Sequence, residues 1–269
     1  MASVCPTRRL IGKNPTLLCY FRGVKARLDQ LLVTRGLAPS RARAQAMILA
    51  GTVFVDGERV DKAGVPVKDD ADVTVKGSDN PFVSRGGLKL DGALTTFGVA
   101  VAGLRCLDMG ASTGGFTDCL LQRGAKEVVA VDVGYGQLAH KLRVDPRVAV
   151  HERTNGRTLT PEVIGGLVDL AVVDASFIGL GLLLPALART VSPGGSLVAL
   201  IKPQFEVGRE EASRSHGVVR DEALREGTIQ KVLEEVRTSG FRVVTTCDSP
   251  VAGPKGNVEA FVLALREAP

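Results

Sequence analysis

The chain has 269 residues and a formal charge of +5; 45% of it is hydrophobic, only 4% is aromatic, and it has no Trp. That length allows one large domain or a medium domain beside a small one, and so few aromatics exclude extensive base stacking as the means of holding nucleic acid. Five cysteines at 5, 19, 106, 119 and 247 form no Cys-x-x-Cys pair and no even set, which excludes a zinc spacing and a disulfide framework and fits a reducing cytoplasm.

No apolar run reaches the roughly 18 residues that a membrane-spanning helix requires. Charge is uneven along the chain: residues 1–50 hold nine Lys/Arg and one acid, Asp29, while the remainder is mildly acidic. A basic front points one end at a polyanion, the alternative being a merely solvated face. Residues 1–23 have a poor apolar region and no clear cleavage site for a signal peptide. They read as disordered, or as a start codon placed too early with Val24 as the initiator.

Residues 25–77 read as one small α+β unit. Leu28, Leu31 and Leu32 have helical spacing, and Gly36 ends that helix. Ser40 is a plausible N-cap for a second helix over Ala42–Ala50, stopped by Gly51. Val53, Val55, Asp56-Gly57 and Val60 predict a hairpin with a tight turn; Val65–Val67 and Val73–Val75 add short strands. Ser78 to Pro81 is polar and turn-prone, and 78–82 reads as a linker.

From there strands and helices alternate. Strands are expected at Leu104–Asp108, Glu127–Val133, Val148–Glu152, Asp169–Asp174, Ser196–Ile201, Phe241–Thr246 and Val258–Leu265. Helices are expected at Phe116–Arg123, Gln137–Arg143, Gly179–Thr190 and Asp221–Ser239. Alternation of this kind predicts a doubly wound parallel sheet, and the two final strands suggest one antiparallel member. Val207 to Val218, with Glu210, Glu211, Arg214 and His216, reads as a mobile loop able to close over substrate or as a plain surface loop.

The first strand runs into Asp108-x-Gly110-Ala111-Ser112-Thr113-Gly114-Gly115-Phe116, a strand, glycine-rich turn and helix. Ligands bind in such turns of open α/β sheets, where glycine lets backbone approach a ligand. The glycine spacing is wider than in the dinucleotide fingerprint. An acid leading the turn suits a ligand with a positive centre, such as the amino group of S-adenosyl-L-methionine. Asp132, ending the second strand, is placed to bind ribose hydroxyls or to cap the strand. Asp174 and Lys202 end two further strands at the same sheet edge. Lys89 and Glu259 are open from pattern alone: surface groups, or a pair, since an acid in an apolar strand is costly unless paired.

The front unit resembles the RNA-binding module named after small-subunit ribosomal protein S-four, through Arg27-Leu28-Asp29, Gly36-Leu37, Ser40-Arg41, Ala44, Gly51-Thr52-Val53 and Val55-Asp56-Gly57. From Ser84 onward the chain resembles the hemolysin A / TlyA family of ribosomal-RNA 2′-O-methyltransferases. The likeness rests on Ser84-Arg85-Gly86-Gly87-x-Lys89-Leu90, the glycine turn, Asp132-Val133-Gly134-Tyr135-Gly136-Gln137-Leu138, Lys202-Pro203-Gln204-Phe205-Glu206 and Gly256-Asn257-x-Glu259. Together the two resemblances cover about residues 25–266.

They imply an α/β fold: a doubly wound, Rossmann-like sheet over 83–269, FtsJ-like, preceded by the small RNA-binding domain at 25–77. They also imply S-adenosyl-L-methionine as cofactor, near Asp108, Gly110, Ser112, Gly114, Gly115, Phe116, Asp132, Val133 and Asp174. A Lys-Asp-Lys-Glu tetrad would be filled by Lys89, Asp174, Lys202 and Glu259. Ribosomal RNA would meet Lys25, Arg27, Arg41, Arg43 and Arg85, phosphate contacts that position without reading sequence. A cytoplasmic monomer without metal or membrane is expected.

A ribose hydroxyl is a poor nucleophile, so positioning must supply most of the acceleration. Lys202 is the candidate base, its pKa lowered by burial and by Lys89. Asp174 then orients Lys202 and Glu259 anchors Lys89; a purely positional Lys202 stays open. Two rival functions, a membrane-damaging protein and a non-catalytic ribosome-assembly factor, lack an amphipathic segment and a degenerate site respectively. Asn80-Pro81-Phe82-Val83 replaces the aromatic/basic tetrapeptide of long family members and the chain stops soon after the last strand, which points to a cytidine of large-subunit rRNA rather than to both subunits.

Overall fold

The computed structural model describes residues 25–38, 40–49, 51–75, 80–208, 217–253 and 256–268. The tail at 1–23, the start of the expected linker at 78–79 and the charged loop residues Glu210, Glu211, Arg214 and His216 lie outside the described residues. The chain divides into two compact units between Asp79 and Asn80.

The front unit contains β1 (Lys25–Arg27), α1 (Leu28–Thr34), α2 (Arg41–Leu49), β2 (Val53–Val55), β3 (Glu58–Arg59), β4 (Pro66–Lys68) and β5 (Val73–Val75). Leu28, Leu31 and Leu32 of α1 and Ala44 and Ile48 of α2 bury against Val53, Val67 and Val73. Ser40 Oγ accepts from Arg43 N at 3.2 Å, capping α2. Asp56 and Gly57 both have positive φ and make the two-residue turn between β2 and β3. The strand β1, antiparallel to β4, was not expected: Lys-Ala-Arg carries no apolar signal.

The second unit is built on α3 (Arg85–Phe97), β6 (Arg105–Met109), α4 (Gly115–Gln122), β7 (Glu127–Val131), α5 (His140–Arg143), β8 (Val148–His151), α6 (Pro161–Ile164) and β9 (Val168–Val173). It continues through α7 (Leu184–Thr190), β10 (Val191–Ile201), α8 (Pro203–Glu206), α9 (Glu222–Thr238), β11 (Phe241–Asp248) and β12 (Ala260–Arg266). Seven strands form one sheet in the order β11-β12-β10-β9-β6-β7-β8. Pairing is parallel from β10 through β8, and β12 runs antiparallel between β10 and β11, the one antiparallel member expected. Apolar residues of the strands bury on both faces, as a doubly covered parallel sheet requires. In α9, Ile229, Val232, Leu233 and Val236 repeat at helical spacing and are buried; Asp221 Oδ1 caps it by accepting from Leu224 N at 3.0 Å.

The stretch before β6, for which no element was expected, is a 13-residue helix, α3. Other expectations need correction. The helix expected over Gly179–Thr190 begins at Leu184, preceded by a 3-10 turn at Leu180–Leu182; Pro185 has no N–H to give an earlier turn and sits where a helix starts. Glu259 lies just ahead of β12 rather than inside it.

Candidate functional site

The sheet changes winding direction between β6 and β9, where β7 leaves one side and β9 the other. A crevice opens there, at the carboxyl ends of the strands. Met109 and Val173 are partners in register, so the residues that follow them, Gly110 and Asp174, meet across the crevice floor. Gly110 has φ +92°, and a Cβ there would stand 2.9 Å from the Asp174 carbonyl oxygen. Only glycine lets the turn pass this close. A Cβ at Gly115 would lie 2.2 Å from Ser84 Oγ, so α4 begins packed against α3.

Two lobes of cavity flank this turn. One, of about 270 Å³, is lined by Arg85, Lys89, Gly110, Ser112, Gly115, Phe116, Asp174, Ser176 and Lys202 among others. The second, of about 370 Å³, is lined by Gly110, Ser112, Asp132, Val133, Asn155, Gly156, Asp174, Ser176 and Phe177 among others. Gly110, Ser112, Asp174 and Ser176 belong to both and form the waist.

Of the residues expected to hold a cofactor, Asp108 and Gly114 lie behind this wall. Gly114 packs toward Leu138 and Leu142. Asp108 is fully buried, and its Oδ2 accepts from Thr117 Oγ1 at 2.6 Å while Oδ1 has no partner. Burial, with Asp174 and Asp132 adding to it against the opposing Thr117 bond, pushes its carboxyl up to about 7. The folded state therefore holds this proton more tightly than the unfolded chain does. Its contribution is fully present below the unfolded value of 3.8 and is lost as pH rises to about 7. We expect Asp108→Asn to gain on the parent chain by a few kcal/mol at pH 8 and by much less at pH 4, as read from urea midpoints; an equal difference at both values would contradict it.

Asp132 stands at the second lobe with Oδ2 accepting from Ser112 N at 2.8 Å and Oδ1 from Gly134 N at 2.7 Å. The first bond holds Ser112 at φ +48°. A carboxylate has lone pairs beyond those two bonds, so it can still accept from a ligand.

The four chemistry-bearing residues come from α3, the loop after β9, the end of β10 and the approach to β12. Lys89 Nζ lies 2.5 Å from Glu259 Oε2, and Glu259 is only 1% exposed. Gln204 Nε2 donates to the other oxygen, Oε1, at 3.2 Å. Lys202 Nζ lies 2.5 Å from Asp174 Oδ1, an ion pair without hydrogen-bond alignment, and donates to Ser176 Oγ at 2.8 Å. Lys89, Asp174 and Lys202 share the wall of the first lobe, while Glu259 stands behind Lys89. Two ion pairs thus face one cavity, each with its ammonium at the wall.

Sequence reading missed Ser176, Asn155-Gly156 and Phe177. Phe177 is 90% exposed with φ +64°, and its ring tilts against Phe205 at 5.0 Å between centroids. A positive φ is strained for a bulky residue and concentrates at functional sites. Ser176 follows Asp174 by two positions, which was the one signal available for it. Arg85, expected to meet RNA, begins α3 at the wall of the first lobe. Among the described residues no group of three or more His, Cys, Asp or Glu could hold a metal ion, and no helix is long and apolar enough to cross a membrane.

Comparison with known proteins gives two family matches: FtsJ-like methyltransferase over residues 82–266 and S4 domain over residues 26–73. The Mycobacterium tuberculosis protein named 16S/23S rRNA (cytidine-2'-O)-methyltransferase TlyA is 53% identical over 239 residues, 88% of this chain and 89% of its own length. Hemolysin A of Brachyspira hyodysenteriae is 41% identical over 234 residues, 87% and 97% of the two chains. The solved structure of a Streptococcus thermophilus protein named a hemolysin superposes with a TM-score of 0.72 at 43% identity, covering 91% of this chain and 89% of that one.

Proposed function

The chain belongs to the FtsJ-like methyltransferase family and carries an S4 domain ahead of it, and on that premise we propose that it methylates a ribose 2′-hydroxyl of ribosomal RNA, at a cytidine of the large subunit. The name of its M. tuberculosis relative carries the cytidine. The observation that supports the chemistry in this chain is the pairing Lys89–Glu259 and Lys202–Asp174 around one cavity. In this reading residues 25–77 form the RNA-binding domain and 83–269 the catalytic domain, working where ribosomes are.

The cavity fits S-adenosyl-L-methionine. Its waist holds Gly110, where the missing Cβ lets the turn close on the Asp174 backbone, and its walls carry the carboxylates Asp132 and Asp174, suited to a ligand with cationic centres. Gly110, Ser112, Gly115, Phe116 and Asp174 would hold its amino-acid end, and Asp132 and Val133 its ribose. When bound, the cofactor supplies a methyl group already activated on a sulfonium.

What the chain adds is alignment and a proton acceptor. Lys202 Nζ, fixed by Asp174 and Ser176, takes the 2′-hydroxyl proton in its unprotonated form. Lys89, anchored by Glu259 and Glu259 in turn by Gln204, places a positive charge beside the oxygen as it sheds that proton. Phe177 offers a ring at the lip where a base turned out of its stack arrives. Arg85 at the wall, and Lys25, Arg27, Arg41 and Arg43 on the front domain, hold phosphates.

Large ribosomal subunits from cells lacking this chain, incubated with it and methyl-labelled cofactor, should acquire label in 2′-O-methylcytidine of the large-subunit RNA. Label confined to a base, or absent from RNA, would sink the assignment.

A further inference from the structure

The arginines of the front domain are held on a single buried acid. Arg27 donates from Nε to Asp29 Oδ1 and from Nη2 to Oδ2, both at 3.1 Å. Arg41 Nε donates to Oδ2 at 3.0 Å, and Gln45 Nε2 to the same oxygen at 2.9 Å. Asp29 is fully buried, whereas the side chains of Arg27 and Arg41 are half exposed. The Arg27 bonds, supported by Gln45 and Arg41, hold the Asp29 carboxyl far below the ordinary carboxylate range despite the opposing cost of burial, so it is an anion throughout the working pH range.

An anion has the wrong sign beside RNA, and this one is the sole acid in residues 1–50. A basic face that worked by charge alone would do better without it. The geometry of the clamp suggests what it is for. A guanidinium is a planar fork whose value in phosphate recognition lies in fixed orientation, and its side chain carries substantial rotamer entropy when free. On Asp29, Arg27 spends one edge, Nε and Nη2, and Arg41 spends its Nε. Arg27 Nη1 and both terminal nitrogens of Arg41 make no hydrogen bond among the described residues. They are left as donors for a ligand.

We infer that Asp29 is a positioning residue for RNA: it pins Arg27 and Arg41 as two pre-set forks for neighbouring phosphates of folded ribosomal RNA. Asp29 binds no RNA itself and acts through the two arginines. The inference rests on the RNA reading above and deepens it. The rival account is local: Asp29 in the first turn of α1 favours the helix by its charge and has no consequence for binding beyond folding.

The two accounts differ in sign. Asp29→Asn in the full chain keeps the shape and adds one unit of positive charge. Pre-organisation predicts roughly tenfold weaker binding to large ribosomal subunits, the scale of losing one charge-assisted bond. It also predicts that the slope of log Kd against log salt becomes shallower by about one to two, because phosphates are no longer engaged. Charge alone predicts equal or tighter binding and an equal or steeper slope.

A second variant, Arg27→Lys with Arg41→Lys, conserves charge and removes the forks; it too should bind about tenfold more weakly. Thermal unfolding checks the fold, and if Asp29→Asn does not fold, the double-lysine chain decides alone. Parental affinity in either folded variant overturns the inference while leaving RNA binding intact. A parent chain that fails to bind the subunits overturns the RNA reading, and this inference with it.

Discussion

Lys202→Ala is expected to lower single-turnover methyl transfer by about 10²–10⁴-fold, the range that a positioned proton acceptor supplies, while the cofactor dissociation constant moves by less than about threefold. The reason for the split is geometric. Lys202 Nζ reaches the wall of the first lobe between Asp174 and Ser176, whereas Asp132 and Val133, proposed to hold the cofactor's ribose, line the second lobe, which Lys202 does not reach. Lys202→Arg separates the two roles open to this side chain. A guanidinium keeps the charge but does not give up its proton, so a base is not replaced and the rate stays low. Calorimetric binding with quenched single-turnover assays reads both quantities; near-normal turnover in either variant would remove Lys202 from the chemistry.

Lys89→Ala should fail in a different way. It leaves the Glu259 carboxylate, 1% exposed, with Gln204 Nε2 as its remaining side-chain donor among the described residues. Breaking one side of a buried pair costs about 3–5 kcal/mol, because the surviving charge has no solvent and no counter-ion. The urea midpoint should drop accordingly and methyl transfer should vanish. Lys89→Ala with Glu259→Gln removes the stranded charge, and most of the lost stability should return while activity does not. A double variant as unstable as the single one would mean that Lys89 is held in place by something other than Glu259. The Lys202–Asp174 pair, more open at its carboxylate, should show no comparable stability loss.

Much of this arrangement is legible in the sequence because the α/β fold writes its site at strand ends. Asp108, Asp132, Asp174 and Lys202 each close or follow an apolar run, and parallel pairing alone brings those ends to one edge. Reading such ends does not say which side chain faces the cavity: Asp108 turns inward to Thr117, whereas Asp174 lines the wall. The helix α3 left a signal that was not used. Leu90, Ala93, Leu94 and Phe97 repeat at helical spacing and Gly98 closes the run with φ +66°, but the Gly86-Gly87 pair at its start disguises it. The division of Gly179–Thr190 follows from Pro185, whose meaning depends on whether it falls inside a helix or at its first turn. The Asp29 clamp could not be read at all. Its partners are two, twelve and sixteen positions away, and only the packing of α1 on α2 shows that they converge.

The antiparallel direction of β12 has a consequence for when the enzyme comes into being. Parallel strands deliver residues to the crevice at their finish, but β12 delivers Glu259 at its beginning, and that strand slots between β10 and β11 only after both have been made. A growing polypeptide that has exposed everything up to Asp248 already owns the glycine turn, the second lobe, most of the first and three of the four charged groups, yet Lys89 lacks the Glu259 carboxylate. On the roles proposed above, competence therefore arrives in one late step, with the insertion of an interior strand.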